Sequence, residues 1–175
     1  MATLGHVAVG LAAARSSTDP AAAAPERVRA ALVLAAISMA PDLDTVAFAL
    51  RVPYEATWGH RGAVHSLLFS FTAGALLGLG LLPGRHRLRS AVVAGLVAAS
   101  HPLLDTLTDG GLGMALLWPF SRERFFAPWR PIPVAPIGPA FFSRRGLMVT
   151  LAELAMFSPL LVYALWPRRR GPSSR

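Results

Sequence analysis

The sequence predicts an all-α integral membrane protein, a helical bundle with about four to five transmembrane or membrane-embedded helices. Three observations carry that reading. Apolar residues make up 54% of the 175-residue chain and charged residues only 15%, against ~45–50% and ~25% in soluble globular domains. Mean hydropathy is +0.49, the reverse of a disordered composition. The apolar residues also fall into five stretches, four of which approach or exceed the ~20 residues a helix needs to cross a ~30 Å hydrocarbon core.

The first stretch, Ala2–Ala14, is interrupted by His6 and is too short to cross unaided. Its lack of a basic leader and the polar Ser16-Ser17-Thr18-Asp19 that follows argue against a cleaved signal peptide. An Ala/Pro linker at Arg15–Arg29 leads to the second stretch, Val28–Leu50. Polar residues at Arg51–Gly62, including Trp58 and His60, precede the third, Ala63–Leu82. A basic turn at Pro83–Arg89 leads into the fourth, Leu88–Leu107. The connection Thr108–Arg145 is rich in Pro, Arg and aromatic residues, and a connection of that length is more often functional than idle. Its rings and cations suit the headgroup region. The fifth stretch is Gly146–Trp166. Residues 1–167 are therefore expected to form one membrane-embedded domain with an interfacial loop at 108–145, followed by a basic tail at 168–175.

Cysteine is absent, which excludes disulfides, thiolate-bound zinc and a cysteine nucleophile. Any metal must be held by His, Asp and Glu. The net charge of +8 comes from 17 arginines, but they cluster between apolar stretches as in membrane proteins, so no nucleic-acid partner is expected. If the five segments alternate across a bilayer, ten arginines (15, 27, 29, 85, 87, 89, 168, 169, 170 and 175) share one side and seven the other. The positive-inside rule makes the richer side cytoplasmic.

Ionisable residues inside apolar segments are costly and ask for a function. His6 lies in the first stretch, Asp42 and Asp44 follow Pro41 in the second, and His60, Arg61 and His65 surround the start of the third. His101 and Asp105 close the fourth, Asp109 lies just beyond, and Glu153 is in the fifth. His101 and Asp105, at i and i+4, share one helix face. Pro41 breaks its helix, which lets two near-neighbour carboxylates turn toward one centre. In the alternating topology these groups reach a similar depth near one face, the non-cytoplasmic one. That convergence points to a single polar site.

Imidazole and carboxylate ligands suit zinc first, with manganese or magnesium as alternatives. His6, Asp42, Asp44, His60, His65, His101, Asp105 and Glu153 are the candidate ligands, enough for two or more ions. A divalent ion would activate water for attack on an ester or phosphoester. Arg61 is the candidate anchor for the substrate anion, and Asp109 a candidate catalytic carboxylate. Ser66 is not needed as a nucleophile beside such a centre, and Gly78-Leu79-Gly80 reads as helix packing.

His6, Pro41-Asp42-Leu43-Asp44, His60-Arg61 with His65-Ser66, Ser100-His101 with Asp105, and Leu117-Trp118-Pro119-Phe120 occur in that order. Together they resemble the YdjM-like family, described as LexA-regulated inner-membrane metal-dependent hydrolases. The resemblance runs from His6 to about Phe126. It extends more distantly to zinc-dependent phospholipase C proteins with multinuclear centres. The resemblance implies a multi-pass protein of the bacterial inner membrane that hydrolyses a lipid or small phosphoester substrate, with membrane lipid around it and no obligate protein partner. Thr108-Asp109-Gly110-Gly111 departs from the Thr-Pro-x-Gly expected after the fourth helix. Two rivals remain open: an ion- or proton-coupled transporter, and a non-catalytic membrane protein with a structural metal.

Overall fold

Helices form where the apolar stretches lie and stop where proline, glycine and polar residues interrupt them. The computed structural model describes residues 2–82 and 86–167. In it α1 spans Thr3–Ser17, α2 Ala24–Met39, α3 Val46–Ala49, α4 Leu67–Leu81, α5 Arg87–Thr106 and α6 Arg144–Leu165. Short 3-10 turns occupy Ala40–Thr45, Ala63–His65 and Gly138–Phe142. Among the described residues there is no strand, only isolated bridges pairing Thr108 with Ile132 and Met114 with Phe125. The basic tail and residues 83–85 of the basic turn lie outside the described residues.

The linker expected at Arg15–Arg29 is much shorter in the structure. α1 continues to Ser17, and α2 begins at Ala24 with Pro25 and Glu26 in its first turn. A proline pre-set for helical φ and an acid facing the helix dipole both favour that early start.

α4 packs along α5, α1 along α2 and α6, and α5 also touches α1 and α2. Ala14, Leu34, Ile37, Leu82, Ala94, Val97 and Ala98 form the apolar core between them. Small residues set the α4–α5 distance. A Cβ at Gly74 would lie 2.5 Å from Ala98 Cβ, and one at Gly78 would lie 2.5 Å from Ala94 Cβ. The two backbones can approach only because these positions carry no side chain. A Cβ at Gly80 would meet nothing within 4 Å. Gly78→Leu is therefore expected to lower stability in detergent by about 1–3 kcal/mol through overpacking. Gly80→Leu should be neutral or slightly stabilising, since glycine is a poor helix former. Equal melting temperatures for the two variants would refute this packing account.

Among the described residues, two helical segments are long and apolar enough to cross a membrane, Ala24–Ala49 and Arg144–Leu165. That is fewer than the four to five membrane helices expected, and the reason is physical. α1 and α4 have 15 residues each, about 22 Å of helix, short of the ~30 Å core. α5 is longer but carries Arg87, Arg89, His101 and Asp105. The surface is nonetheless the inverse of a soluble protein's. Leu32, Leu76, Leu96, Leu151 and Leu154 are exposed, while Asp42, His65, His101, Asp105 and Glu153 are buried. Extended apolar surface of this kind marks contact with lipid or with another protein. The connection after α5 exposes Phe120, Trp129 and Phe142, as a headgroup-level segment does. It is packed against the bundle, with Met114 and Ile132 buried.

Candidate metal centre

Pro41 determines how the two acids of the second stretch are presented. α2 ends at Met39, and the chain continues as the 3-10 turn Ala40–Thr45. In an α-helix, residues two apart point about 160° away from each other. In a 3-10 helix the angle falls to about 120°. Asp42 and Asp44 are therefore both buried while Leu43 between them is exposed.

Three other elements bring their polar residues to this turn. His60 and Arg61 come from the loop after α3, and His65 ends the 3-10 turn Ala63–His65. Ser66 caps α4, its hydroxyl accepting from the Phe69 N–H, so it has a structural task. His101 and Asp105 descend one face of α5. His6, from the first turns of α1, stacks on His101 with ring centroids 3.7 Å apart. Its Nε2 lies 3.2 Å from Asp105 Oδ1.

Two groups of four residues have ligand atoms lying within 4.8 Å of one another: Asp42, Asp44, His60 and His65, and Asp42, His65, His101 and Asp105. Asp42 and His65 belong to both. The hydrogen bonds distinguish the two carboxylates of the turn. Asp44 is satisfied: Oδ1 accepts from His60 Nδ1 at 2.6 Å, and Oδ2 accepts from the Arg61 N–H at 3.1 Å. Both oxygens of Asp42 are buried without a hydrogen bond.

The imidazoles around Asp42 are in the same condition. His101 Nδ1 donates to the Ser38 carbonyl at 2.7 Å. A carbonyl can only accept, so Nδ1 carries a proton, and on a neutral ring Nε2 would present its lone pair. That Nε2 lies 3.4 Å from Asp42 Oδ1, and His65 Nε2 lies 3.6 Å from the same oxygen. Neither nitrogen has a hydrogen bond. His65 Nδ1 is 2.8 Å from Asp44 Oδ2 but off the angle a hydrogen bond requires. On a neutral His101 that lone pair would face a carboxylate, which is repulsive unless a cation lies between them. Ligands on one tetrahedral ion with bonds of ~2.0–2.2 Å are ~3.3–3.6 Å apart, which matches the separations here. Charge points the same way. Three buried carboxylates, Asp42, Asp44 and Asp105, face one buried guanidinium, Arg61. A divalent cation would balance the remaining negative charge, which is otherwise costly to bury.

The remaining predicted site residues are placed differently. Arg61 is buried, with φ of 64°. Its Nη1 donates to the Gly110 and Leu112 carbonyls at 2.7 and 3.1 Å, and its Nη2 donates to Thr108 Oγ1 at 3.1 Å. Nη2 also lies 3.4 Å from Asp105 Oδ2. The fork expected to grip a substrate anion is thus largely spent on the protein. Asp109 is exposed and accepts from the Val134 N–H at 2.7 Å, tying the loop to itself. Glu153 does not join the cluster. It is buried on α6 and accepts from the Leu4 N–H at 2.6 Å, capping α1, which has no side-chain cap of its own. A carboxylate there satisfies an end amide and faces the positive end of the helix dipole.

Three participants escaped sequence reasoning. The Ser38 carbonyl is backbone and carries no residue-specific signal. Thr108 accepts from Arg61 and donates to the Asp105 carbonyl at 2.7 Å. Arg124, one of the cations of the long connection that suit the headgroup region, donates to five carbonyls, those of Tyr54, Ala56, His60, Arg61 and Gly113. Partial burial lowers its pKa from the usual arginine value. This guanidinium binds the loop before the site to the loop after it.

A helical bundle with an apolar exterior and a buried imidazole–carboxylate cluster at one end defines a membrane-type protein with a candidate metal centre. The chain belongs to the family described as YdjM inner membrane protein, whose model matches residues 1–170. Among curated proteins it is similar to the inner membrane protein YbcI of Escherichia coli (strain K12). The two are 39% identical over 155 residues, covering 83% of this chain and 86% of that protein. No solved structure matches.

Proposed function

We propose that this protein is a metal-dependent hydrolase of the bacterial inner membrane, cleaving a phosphoester or ester bond in a lipid or other amphiphile. The observation that carries the proposal is the convergence of Asp42, His65 Nε2 and His101 Nε2, buried, close and without hydrogen bonds. Asp42, His65, His101 and Asp105 would hold one divalent ion, zinc first by ligand type and manganese or magnesium next. Asp42, Asp44, His60 and His65 offer a second position. Such an ion would supply Lewis acidity and lower the pKa of water at the site.

The chain's own residues do the rest. Ser38 fixes the tautomer of His101, and Asp44 orients His60, the kind of support that raises ligand basicity. The Asp42 oxygen left outside the ligand set would take a proton from the attacking water. Arg61 and Arg124 hold the surrounding loops in register, and Arg61 adds positive charge beside Asp105. The inner-membrane location is supported by the family's description and the relative's name. Alternation of all five apolar segments across the bilayer, with the arginine-rich side cytoplasmic, would turn the site to the non-cytoplasmic side.

One observation favours a second reading, a structural metal. No residue of the cluster is more than 7% exposed, and structural sites are closed whereas catalytic ones keep an open position. One experiment separates the two. The full-length protein, purified in mild detergent, is analysed for metals and assayed on a phosphodiester and a fluorescent glycerophospholipid before and after chelation. Bound metal, with turnover lost on chelation and restored by zinc or manganese, is the expected result. Metal without turnover supports the structural reading, and protein free of metal in all preparations overturns both.

A further inference from the structure

We infer that the end of the bundle away from the metal centre carries a site for an anionic phospholipid. A phosphate cradle at Arg29 and Arg89 opens there into an apolar groove between α1 and α5. The cradle is a cavity of about 500 Å³ whose polar walls include two guanidiniums, Arg29 and Arg89, two carboxylates, Asp19 and Glu26, and the hydroxyls of Ser16 and Ser17. Through Ser16, Ser17, Arg89 and Val93 it joins a second cavity of about 420 Å³. The other walls of that cavity are Val9, Ala13, Leu96 and Val97. The polar end and the apolar groove therefore adjoin across shared walls, in the order that the headgroup and acyl chain of a membrane lipid require.

Charge sets the headgroup class. Arg15, Arg27, Arg29, Arg87 and Arg89 gather at this end with only Asp19 and Glu26 as described carboxylates against them. Arg15 donates to the Trp166 carbonyl, Arg27 to the Ala22 carbonyl and Arg87 to the Leu79 carbonyl. Arg29 and Arg89 have neither an ion pair nor a side-chain hydrogen bond among the described residues, though both line the cradle. Asp19 Oδ1 already accepts from the Ala21 N–H, and Glu26 sits in the first turn of α2, where the helix dipole stabilises it. Neither carboxylate is paired with Arg29 or Arg89, and arginines outnumber carboxylates at this end five to two among the described residues, so an anionic headgroup is preferred over a zwitterionic one. A soluble phosphate would leave the groove exposed, whereas an acyl chain covers it. The site is distinct from the metal centre: twelve residues of α5 separate Arg89 from His101, about 18 Å of helix.

The test uses delipidated full-length protein in neutral detergent. It is offered phosphatidylglycerol, phosphatidylcholine or glycerol 3-phosphate, and read by native mass spectrometry and melting temperature. Phosphatidylglycerol should be retained and raise the melting temperature, while the other two should do neither. The Arg29→Gln/Arg89→Gln double variant should retain phosphatidylglycerol about tenfold less well, with its bound-metal content unchanged as the check on folding. Ala13→Phe, which fills the groove and leaves the arginines in place, should weaken retention independently. Equal retention of the two lipids, retention undiminished in both variants, or glycerol 3-phosphate held as tightly as phosphatidylglycerol would each overturn the assignment. Because metal content and hydrolysis are measured separately, failure here is distinguishable from failure of the hydrolase reading.

Discussion

Asp42→Asn is expected to abolish metal retention, with a larger effect than substitution of any residue that belongs to one four-residue group only. Asp42 is common to both four-residue groups, and neither of its oxygens has a hydrogen bond that would give the carboxylate another purpose. Asparagine keeps the shape and removes the charge and one anionic oxygen. The loss should exceed the ~10–100-fold typical of a supporting partner. His60→Gln should cost less, because His60 belongs to one group only. Stability supplies the decisive comparison. Without metal, Asp42, Asp44 and Asp105 are buried close together, so neutralising one should leave the metal-free variant as stable as metal-free wild type or more so. If Asp42 instead served as the partner of protonated His65 and His101, removing its charge would strand buried cations at a cost of about 3–5 kcal/mol. Metal analysis and melting curves with and without chelator decide between these outcomes. A large loss of stability in the metal-free variant would sink the metal reading.

The parts of this site that sequence could reveal were those with local geometry. Pro41 announced the break that turns Asp42 and Asp44 inward, and the i, i+4 spacing announced the shared face of His101 and Asp105. The expectation that ionisable groups in apolar segments must converge applied to His6, His60 and His65 because the cost of burying them separately is high in any apolar environment. Glu153 met the same criterion and went elsewhere. Its cost is met by a helix end, and helix ends offer amides that leave no mark in the sequence of a distant segment. Arg61 and Arg124 could not be placed from the sequence for a related reason. Arginine is chosen at surfaces for phosphate and in interiors for carbonyl clusters, and only the fold shows which acceptors surround it. The span count was legible only in part: composition gives the apolar content of a stretch, while caps and breaks such as Ser66 and Met39 set how much of it is helix.

Arg61→Ala should destabilise the protein by about 3–5 kcal/mol, the range for removing one partner of a buried ion pair. The substitution leaves the Gly110 and Leu112 carbonyls without their donor and removes the guanidinium beside Asp105. It also releases the start of the long connection from the loop that carries His60. Limited proteolysis should therefore cut within residues 108–137 more rapidly than in wild type, alongside the lowered melting temperature. Arg61→Lys should recover only part of the loss. An ammonium restores a point charge near Asp105 but cannot reach two carbonyls, a hydroxyl and a carboxylate from one planar fork. The outcome also assigns the role of the residue. A clamp loses stability and metal occupancy together, with KM little changed in the molecules that remain folded. A substrate anchor keeps its melting temperature and its metal while KM rises, and that pattern would reinstate Arg61 as the group that grips the scissile anion.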